Sequence, residues 1–235
     1  MLTCLLRIRH SLLSSDGERY VLNRMKFDSI IFDLDGTLWD ATNVTAHGWN
    51  SALVHLKLGQ FKVSAEQVKE VCGLPNSECI ERIFKNVPDV NLVELEKNLD
   101  MEEEAAFKNC LGELYPGVED GITKLKNSLP LFLVSNCQTW YLKRFWQQSG
   151  LEPYFEGQDC NGNENNPKHI MIKNLIQKHN LSYPMYIGDT GGDKTSCDKV
   201  GVTFGYAAYG FGDLVNEKIK FNNFPEICNY FKNMT

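Results

Sequence analysis

Long apolar runs are missing from this sequence. None approaches the ~18 residues that a membrane-spanning helix requires, so no membrane partner is expected. The eight cysteines, at positions 4, 72, 79, 110, 137, 160, 197 and 228, include no CxxC pair, which removes zinc sites of the common spacing. Their scatter suits buried thiols in a reducing compartment better than a disulfide framework, and the cytoplasm is the expected location. Positive charge is scarce. With 24 Lys+Arg against 30 Asp+Glu the net charge is −6. Nucleic-acid backbones select basic surfaces, so no nucleic-acid partner is expected. Internal repeats and low-complexity tracts are also lacking. What remains is ordinary globular composition, 43% hydrophobic and 23% charged over 235 residues. That length suits one or two domains, or one domain carrying an insertion.

Residues 1–24 read unlike the rest. Arg7, Arg9 and His10 break the apolar start too early for a signal peptide, and Asp16 and Glu18 argue against an organelle transit peptide. The expectation is an N-terminal extension, with Met25 as the true beginning. From Met25 the pattern sharpens. Short apolar, β-branched runs at 29–35, 131–136, 185–189 and 202–206 predict buried strands. Helical periodicity follows at 139–149 and 168–179, with Asn166 as the expected N-cap and Pro167 as the first residue of the second helix. Strands alternating with helices imply a parallel α/β sheet. Between 41 and 112 strand signals vanish. Helices are predicted there at 42–58, 64–72, 77–85 and 91–111, broken at Gly59, at Gly73-Leu74-Pro75 and at Pro88. The expected organisation is an extension at 1–24, an α/β core from 25–40 and 113–235, and a helical insertion at 41–112.

Four polar clusters fall at strand ends or at a following helix start, the rim where open α/β sheets bind ligands. The first is Asp33-Leu34-Asp35-Gly36-Thr37. Two carboxylates two residues apart on a strand point the same way. A turn after them, which Gly36 permits, would give them separate tasks. The second is Ser135-Asn136, whose hydroxyl and backbone N–H groups can hold a phosphate oxygen. The third is Lys168 at a helix N-terminus. The fourth is Gly188-Asp189-Thr190-Gly191-Gly192-Asp193, two acids four apart with glycines between, suited to a metal loop entering a helix.

In this order and spacing the clusters resemble the haloacid dehalogenase-like hydrolase superfamily. Asp33 and Asp35 match its first motif, Ser135 its second, Lys168 its third, and Asp189 with Asp193 its fourth. Trp49-Asn50, Gly73-Leu74-Pro75 and Tyr115-Pro116-Gly117 are similar to segments of its phosphoglycolate phosphatase and β-phosphoglucomutase group. The resemblance implies a Rossmann-like parallel core with a helical cap inserted after the first motif. It also implies a phosphatase acting on a small phosphorylated metabolite. The third motif departs from the commoner Lys-Pro-x-Pro form. It reads Asn166-Pro167-Lys168-His169, and Lys168 rather than Asn166 is chosen as the phosphate-side lysine.

Phosphate-ester hydrolysis needs a nucleophile, charge stabilisation and a proton for the leaving oxygen. Asp33 is assigned as a nucleophile forming an aspartyl-phosphate, and Asp35 as acid and base. Four carboxylates meeting a dianionic phosphate demand a cation beyond Lys168, and an all-oxygen donor set suits Mg²⁺. The expected ligands are the side chains of Asp33 and Asp189 and, by the resemblance, the backbone carbonyl of Asp35. Ser135 and Lys168 would stabilise the transferring phosphoryl group. Asn136, Gly36, Thr37 and Asp193 would support the site, Asp193 through water on the metal or by orienting Lys168. Asp35 argues against a dehalogenase, which needs no second carboxylate. The mutase reading is weakened by the absence of an Arg just after Gly73, and a non-catalytic binding module by the presence of all four aspartates. His47, Trp49 and Asn76 are candidates for leaving-group contact. Trp140, Tyr141, Phe145 and Trp146 are expected to be packing aromatics, and Cys137 a packed thiol.

Overall fold

The computed structural model describes residues 27–87 and 90–233. The expectations for residues 1–24 and for the break at Pro88 lie outside the described residues. Ser29–Phe32 forms β1. Leu131–Ser135 forms β4, Gly157–Cys160 β5, Pro184–Gly188 β6, Thr203–Ala207 β7 and Lys220–Phe221 β8. The six pair in the order β5-β4-β1-β6-β7-β8, all parallel. A second, antiparallel ribbon joins β2 (Trp39–Asp40) to β3 (Glu113–Leu114) and carries the chain out of the core and back.

Strand periodicity explains the layers. Ile30 and Phe32 of β1 join Leu131, Leu133, Met185 and Ile187 in one apolar cluster. Their sequence neighbours Ile31, Phe132, Val134 and Tyr186 join another on the opposite face. Side chains alternate across a strand, so a run apolar at every position must be covered on both sides. The first face is covered by α5 (Val118–Lys126), α6 (Thr139–Ser149) and α10 (Phe224–Lys232) through Ile122, Phe145 and Phe224. The second is covered by α8 (Lys168–His179) and α9 (Gly191–Val200) through Met171, Ile172 and Cys197. A short α7 (Asn161–Glu164) links β5 to α8.

The helical insertion comprises α1 (Thr42–His55), α2 (Ala65–Lys69), α3 (Asn76–Phe84) and α4 (Leu92–Ala106). These bury a core of their own, including Trp49, Leu53, Ile80, Phe84, Leu95 and Leu99. Gly48 permits the close crossing of α1 and α4, since a Cβ there would lie 2.5 Å from the Cα of Glu103. The cap meets the core where the Asn136 amide donates to the Gly73 carbonyl at 2.7 Å.

The structure corrects several expectations. The first strand ends at Phe32, not at residue 35, because the chain turns at the aspartates. The last cap helix ends at Ala106, with a looser turn through Asn109 that carries the chain toward β3. Asn166 does not cap α8. That helix begins at Lys168 after Pro167, and the Asn166 amide bonds the Glu164 carboxylate at 3.0 Å. Helices α5 and α10 and strand β5 carry signals too short or too polar to have been read.

Candidate active site

β1 lies between β4 and β6, where the winding of the chain reverses. Ligands bind beyond the strand ends at such a switch point. Asp33 follows β1, Ser135 ends β4 and Asp189 follows β6, so three sequence-distant residues reach one rim. All three are buried.

The turn after β1 separates the two aspartates of the first motif. Asp33 faces Lys168, whose ammonium donates to its Oδ1 at 2.9 Å and to Asp193 Oδ1 at 2.6 Å. Asp35 instead accepts at Oδ1 from the Tyr141 hydroxyl at 2.6 Å and from the Trp39 indole at 3.2 Å. Both donors are placed by packing. Tyr141 meets Trp39 edge-on with ring centroids 5.7 Å apart, and Phe107 and Phe145 flank the pair. Neither donor bonds Asp35 Oδ2. Gly36 adopts φ 80°, and a Cβ there would meet Asp189 Oδ2 at 2.1 Å. The left-handed turn and the close approach together require glycine.

Asp189 accepts from the Phe211 amide at 2.8 Å, with the Thr37 hydroxyl at 3.4 Å from its other oxygen. Asp193 serves the fold and the site at once. As the third residue of α9 it forms a reciprocal capping box with Thr190. Its Oδ2 accepts from the Thr190 hydroxyl and amide, and its Oδ1 from Lys168, with the Tyr186 hydroxyl 3.2 Å away. Ser135 Oγ accepts from the Cys137 amide at 3.2 Å, which leaves its hydrogen to donate.

Burial raises the pKa of Asp33 and Asp189 well above the carboxylate range. The charge of Asp193 adds to both, and Lys168 opposes. Burial also pushes Asp35 up to about 6, against its bonds from Tyr141 and Trp39. For Lys168 burial acts downward, but the charges of Asp193 and Asp33 outweigh it and hold the ammonium protonated. Asp33, Asp189 and Asp193 can each bring an oxygen within 4.8 Å of the others. Three carboxylates thus face one ammonium. An all-oxygen set with this excess of negative charge fits a hard divalent cation.

Asp33, Asp35, Gly36, Thr37, Ser135, Lys168, Asp189 and Asp193 gather here, with Asn136 linking the site to the cap. Asn166 does not reach Asp33. Trp49 and Asn76 line the cavity between cap and core, whereas His47 is exposed on α1 and takes no part. Tyr141 was expected only to pack, yet its hydroxyl holds Asp35. Tyr186, Phe211, Asp100 and Glu103 also enter the site or its cavity, and their spacing in the chain carries no signal for it.

The fold and this rim define a hydrolase of the haloacid dehalogenase-like class. The family profile of haloacid dehalogenase-like hydrolases matches residues 30–207, and the chain belongs to that family. Among solved structures it is similar to a haloacid dehalogenase-like family hydrolase from Streptococcus pneumoniae, at 20% identity and TM-score 0.76, covering 88% of this chain and 99% of that one. A predicted phosphoglycolate phosphatase from Haemophilus somnus gives the same identity, coverage and TM-score, 20%, 88% and 99%, and 0.76. A predicted phosphatase from Clostridium acetobutylicum is 18% identical with TM-score 0.73, covering 88% and 98%. At these identities the likeness is one of fold. Comparison with curated proteins finds no match. Among the described residues no helix is long and apolar enough to cross a membrane.

Proposed function

We propose that the protein is a Mg²⁺-dependent phosphoric monoester hydrolase acting on a small phosphorylated metabolite through an aspartyl-phosphate on Asp33. The observation that carries this reading is the division of labour after β1. Asp33 is held by Lys168 beside Asp189, while Asp35 is turned away to Tyr141 and Trp39 with one oxygen unengaged.

Asp33 has its Oδ1 bonded to Lys168, and its Oδ2 attacks phosphorus. The bond from phosphorus to the ester oxygen breaks, and the leaving oxygen takes the proton carried by Asp35. Asp35 then accepts a proton from water as that water attacks the phosphorus of the aspartyl-phosphate, which releases inorganic phosphate and restores Asp33. Two easier displacements replace one hard one. Lys168, the Ser135 hydroxyl and adjacent backbone N–H groups offset the charge on the phosphoryl oxygens. The side chains of Asp33 and Asp189 and the backbone carbonyl of Asp35 would hold Mg²⁺, since both carboxylate oxygens of Asp193 are engaged, by Lys168 and by Thr190. Bound there, the ion neutralises charge shared by the nucleophile and the phosphate.

Phosphate release from a panel of monoesters, with Mg²⁺ and with excess EDTA, tests the reading. Turnover is expected only with Mg²⁺ or Mn²⁺. Full turnover in EDTA-treated, metal-free buffer would refute it.

A further inference from the structure

A carboxyl group that gives and takes protons has to present one oxygen and keep it presented. Asp35 has no cation to hold it in place. Among the described residues no Lys, Arg or His forms an ion pair with it. Two neutral donors hold it instead. The Tyr141 hydroxyl lies 2.6 Å from Oδ1, and the Trp39 indole nitrogen 3.2 Å from the same atom. An indole N–H can only donate. With a second bond donated by Tyr141, both lone pairs of Oδ1 are occupied, so a proton on Asp35 sits on Oδ2. That oxygen takes no hydrogen bond among the described residues and is not sealed from solvent. Asp35 lines the cavity between cap and core, where a leaving group would lie.

The two donors reach Oδ1 from different parts of the chain. Trp39 is tied to Asp35 through the backbone. The Gly36 amide donates to the Trp39 carbonyl at 3.0 Å, and a bridge joins Asp35 to Trp39. Tyr141 arrives from α6, through the aromatic cluster. Its ring meets Trp39 and Phe107 edge-on, with centroids 5.7 and 5.2 Å apart. Trp39 in turn stacks on Phe107 at 5.9 Å and meets Phe145 edge-on at 4.9 Å. Both donor residues are buried. Packing fixes the donors, and the donors fix the carboxyl group. Packing alone does not call for the hydroxyl. Phenylalanine would fill the same space without burying a polar group.

We infer that Tyr141 and Trp39 are positioning residues for the proton transfers of Asp35. They hold Oδ1 and so keep the exchangeable proton on Oδ2, at the cavity. In the first step the Oδ2–H bond breaks as the ester oxygen leaves phosphorus, and that oxygen takes the proton. In the second, Oδ2 takes a proton from the water whose oxygen bonds phosphorus. Tyr141 and Trp39 keep their own protons throughout. This rests on the phosphatase reading given above and adds to it the residues that aim its acid and base.

Single-turnover quench of p-nitrophenyl, phenyl and benzyl phosphate with Mg²⁺ tests the inference. The three esters are similar in size, and their leaving oxygens need a proton in increasing degree. Tyr141→Phe removes the hydroxyl and keeps the ring. Formation of the aspartyl-phosphate from benzyl phosphate should slow by about 10- to 100-fold, whereas p-nitrophenyl phosphate should react within about twofold of wild type. The concentration dependence of the three should change little. Trp39→Phe should act in the same direction and less, because its bond is the longer one. Decay of the aspartyl-phosphate formed from p-nitrophenyl phosphate should also slow in Tyr141→Phe. It should slow no further when that substitution is added to Asp35→Asn, since the two act through one group. A residue that only braces the fold would slow all three esters alike and would act in the Asp35→Asn background too. Either result overturns the inference, as does a Tyr141→Phe protein that matches wild type on benzyl phosphate. In each of these cases wild-type turnover leaves the phosphatase reading standing. If wild type hydrolyses none of the three esters, the phosphatase reading fails and takes the inference with it.

Discussion

Glu103 offers a test of the cap's electrostatics that is independent of catalysis. The residue is 6% exposed, with each carboxylate oxygen accepting one hydrogen bond, from Thr45 and from Trp49. Burial raises its pKa from 4.5 to about 7. Those two bonds pull the value down, and the charge of Asp100 adds to the rise. The folded protein therefore keeps a proton that the unfolded chain has already lost between these values. A raised carboxyl contributes stability that is fully present below the unfolded pKa and is lost as pH rises through the folded one. At about 1.4 kcal/mol for each pH unit, the interval from 4.5 to about 7 corresponds to about 3 kcal/mol. Glu103→Gln removes the titration while preserving the shape. Its carbonyl can accept from Trp49 and its amide can donate to the Thr45 oxygen. Urea unfolding of both proteins in EDTA, at about pH 5 and about pH 8, isolates the effect, because titrations elsewhere are common to the two. The variant should gain about 2–3 kcal/mol relative to wild type across that range. An unchanged difference between the two pH values would show that Glu103 carries no such proton.

Lys168→Ala leaves Asp33 and Asp193 facing each other without their ammonium, and kcat should fall by about 10²-fold or more. Asn166→Ala, at a side chain that reaches only Glu164, should change kcat little. Near-normal steady-state kcat in Lys168→Ala would refute the assignment. Asp35→Asn keeps the backbone carbonyl at the metal site but cannot give or take a proton. It should abolish hydrolysis of alkyl phosphates yet partly spare transfer of phosphate from p-nitrophenyl phosphate, whose leaving anion is stable without protonation. Rapid quench and mass spectrometry should then find phosphate on Asp33. If neither wild type nor variant shows it, and solvent oxygen never enters that carboxylate over many turnovers, direct attack by water is the better mechanism.

Much of this architecture was legible in the chain because it rests on local rules. The runs around Ile30, Leu131 and Met185 are apolar at consecutive positions, which only a strand covered on both faces satisfies. The helices at 139–149 and 168–179 carry their own periodicity and coincide with α6 and α8. Asp33, Ser135, Lys168 and Asp189 could be picked out because each stands at the end of such a run or the start of such a helix. Direction and contact were another matter. The period-two rule for an extended strand aims Asp33 and Asp35 the same way. Only the early end of β1 at Phe32, with Gly36 pressed against Asp189, parts them. Lys168 was chosen over Asn166 from the sequence, but its bond to Asp33 depends on where α8 begins and on the packing of that helix against the sheet. Tyr141 lies 106 positions from Asp35. Nothing in a helix-face aromatic reveals that its hydroxyl will meet a carboxylate, because that meeting depends on the packing of Trp39, Phe107 and Phe145 around it. The lining of the cavity belongs wholly to the tertiary structure. Asp100 and Glu103 border the cavity only because α4 packs against Gly48 of α1 and closes over the rim.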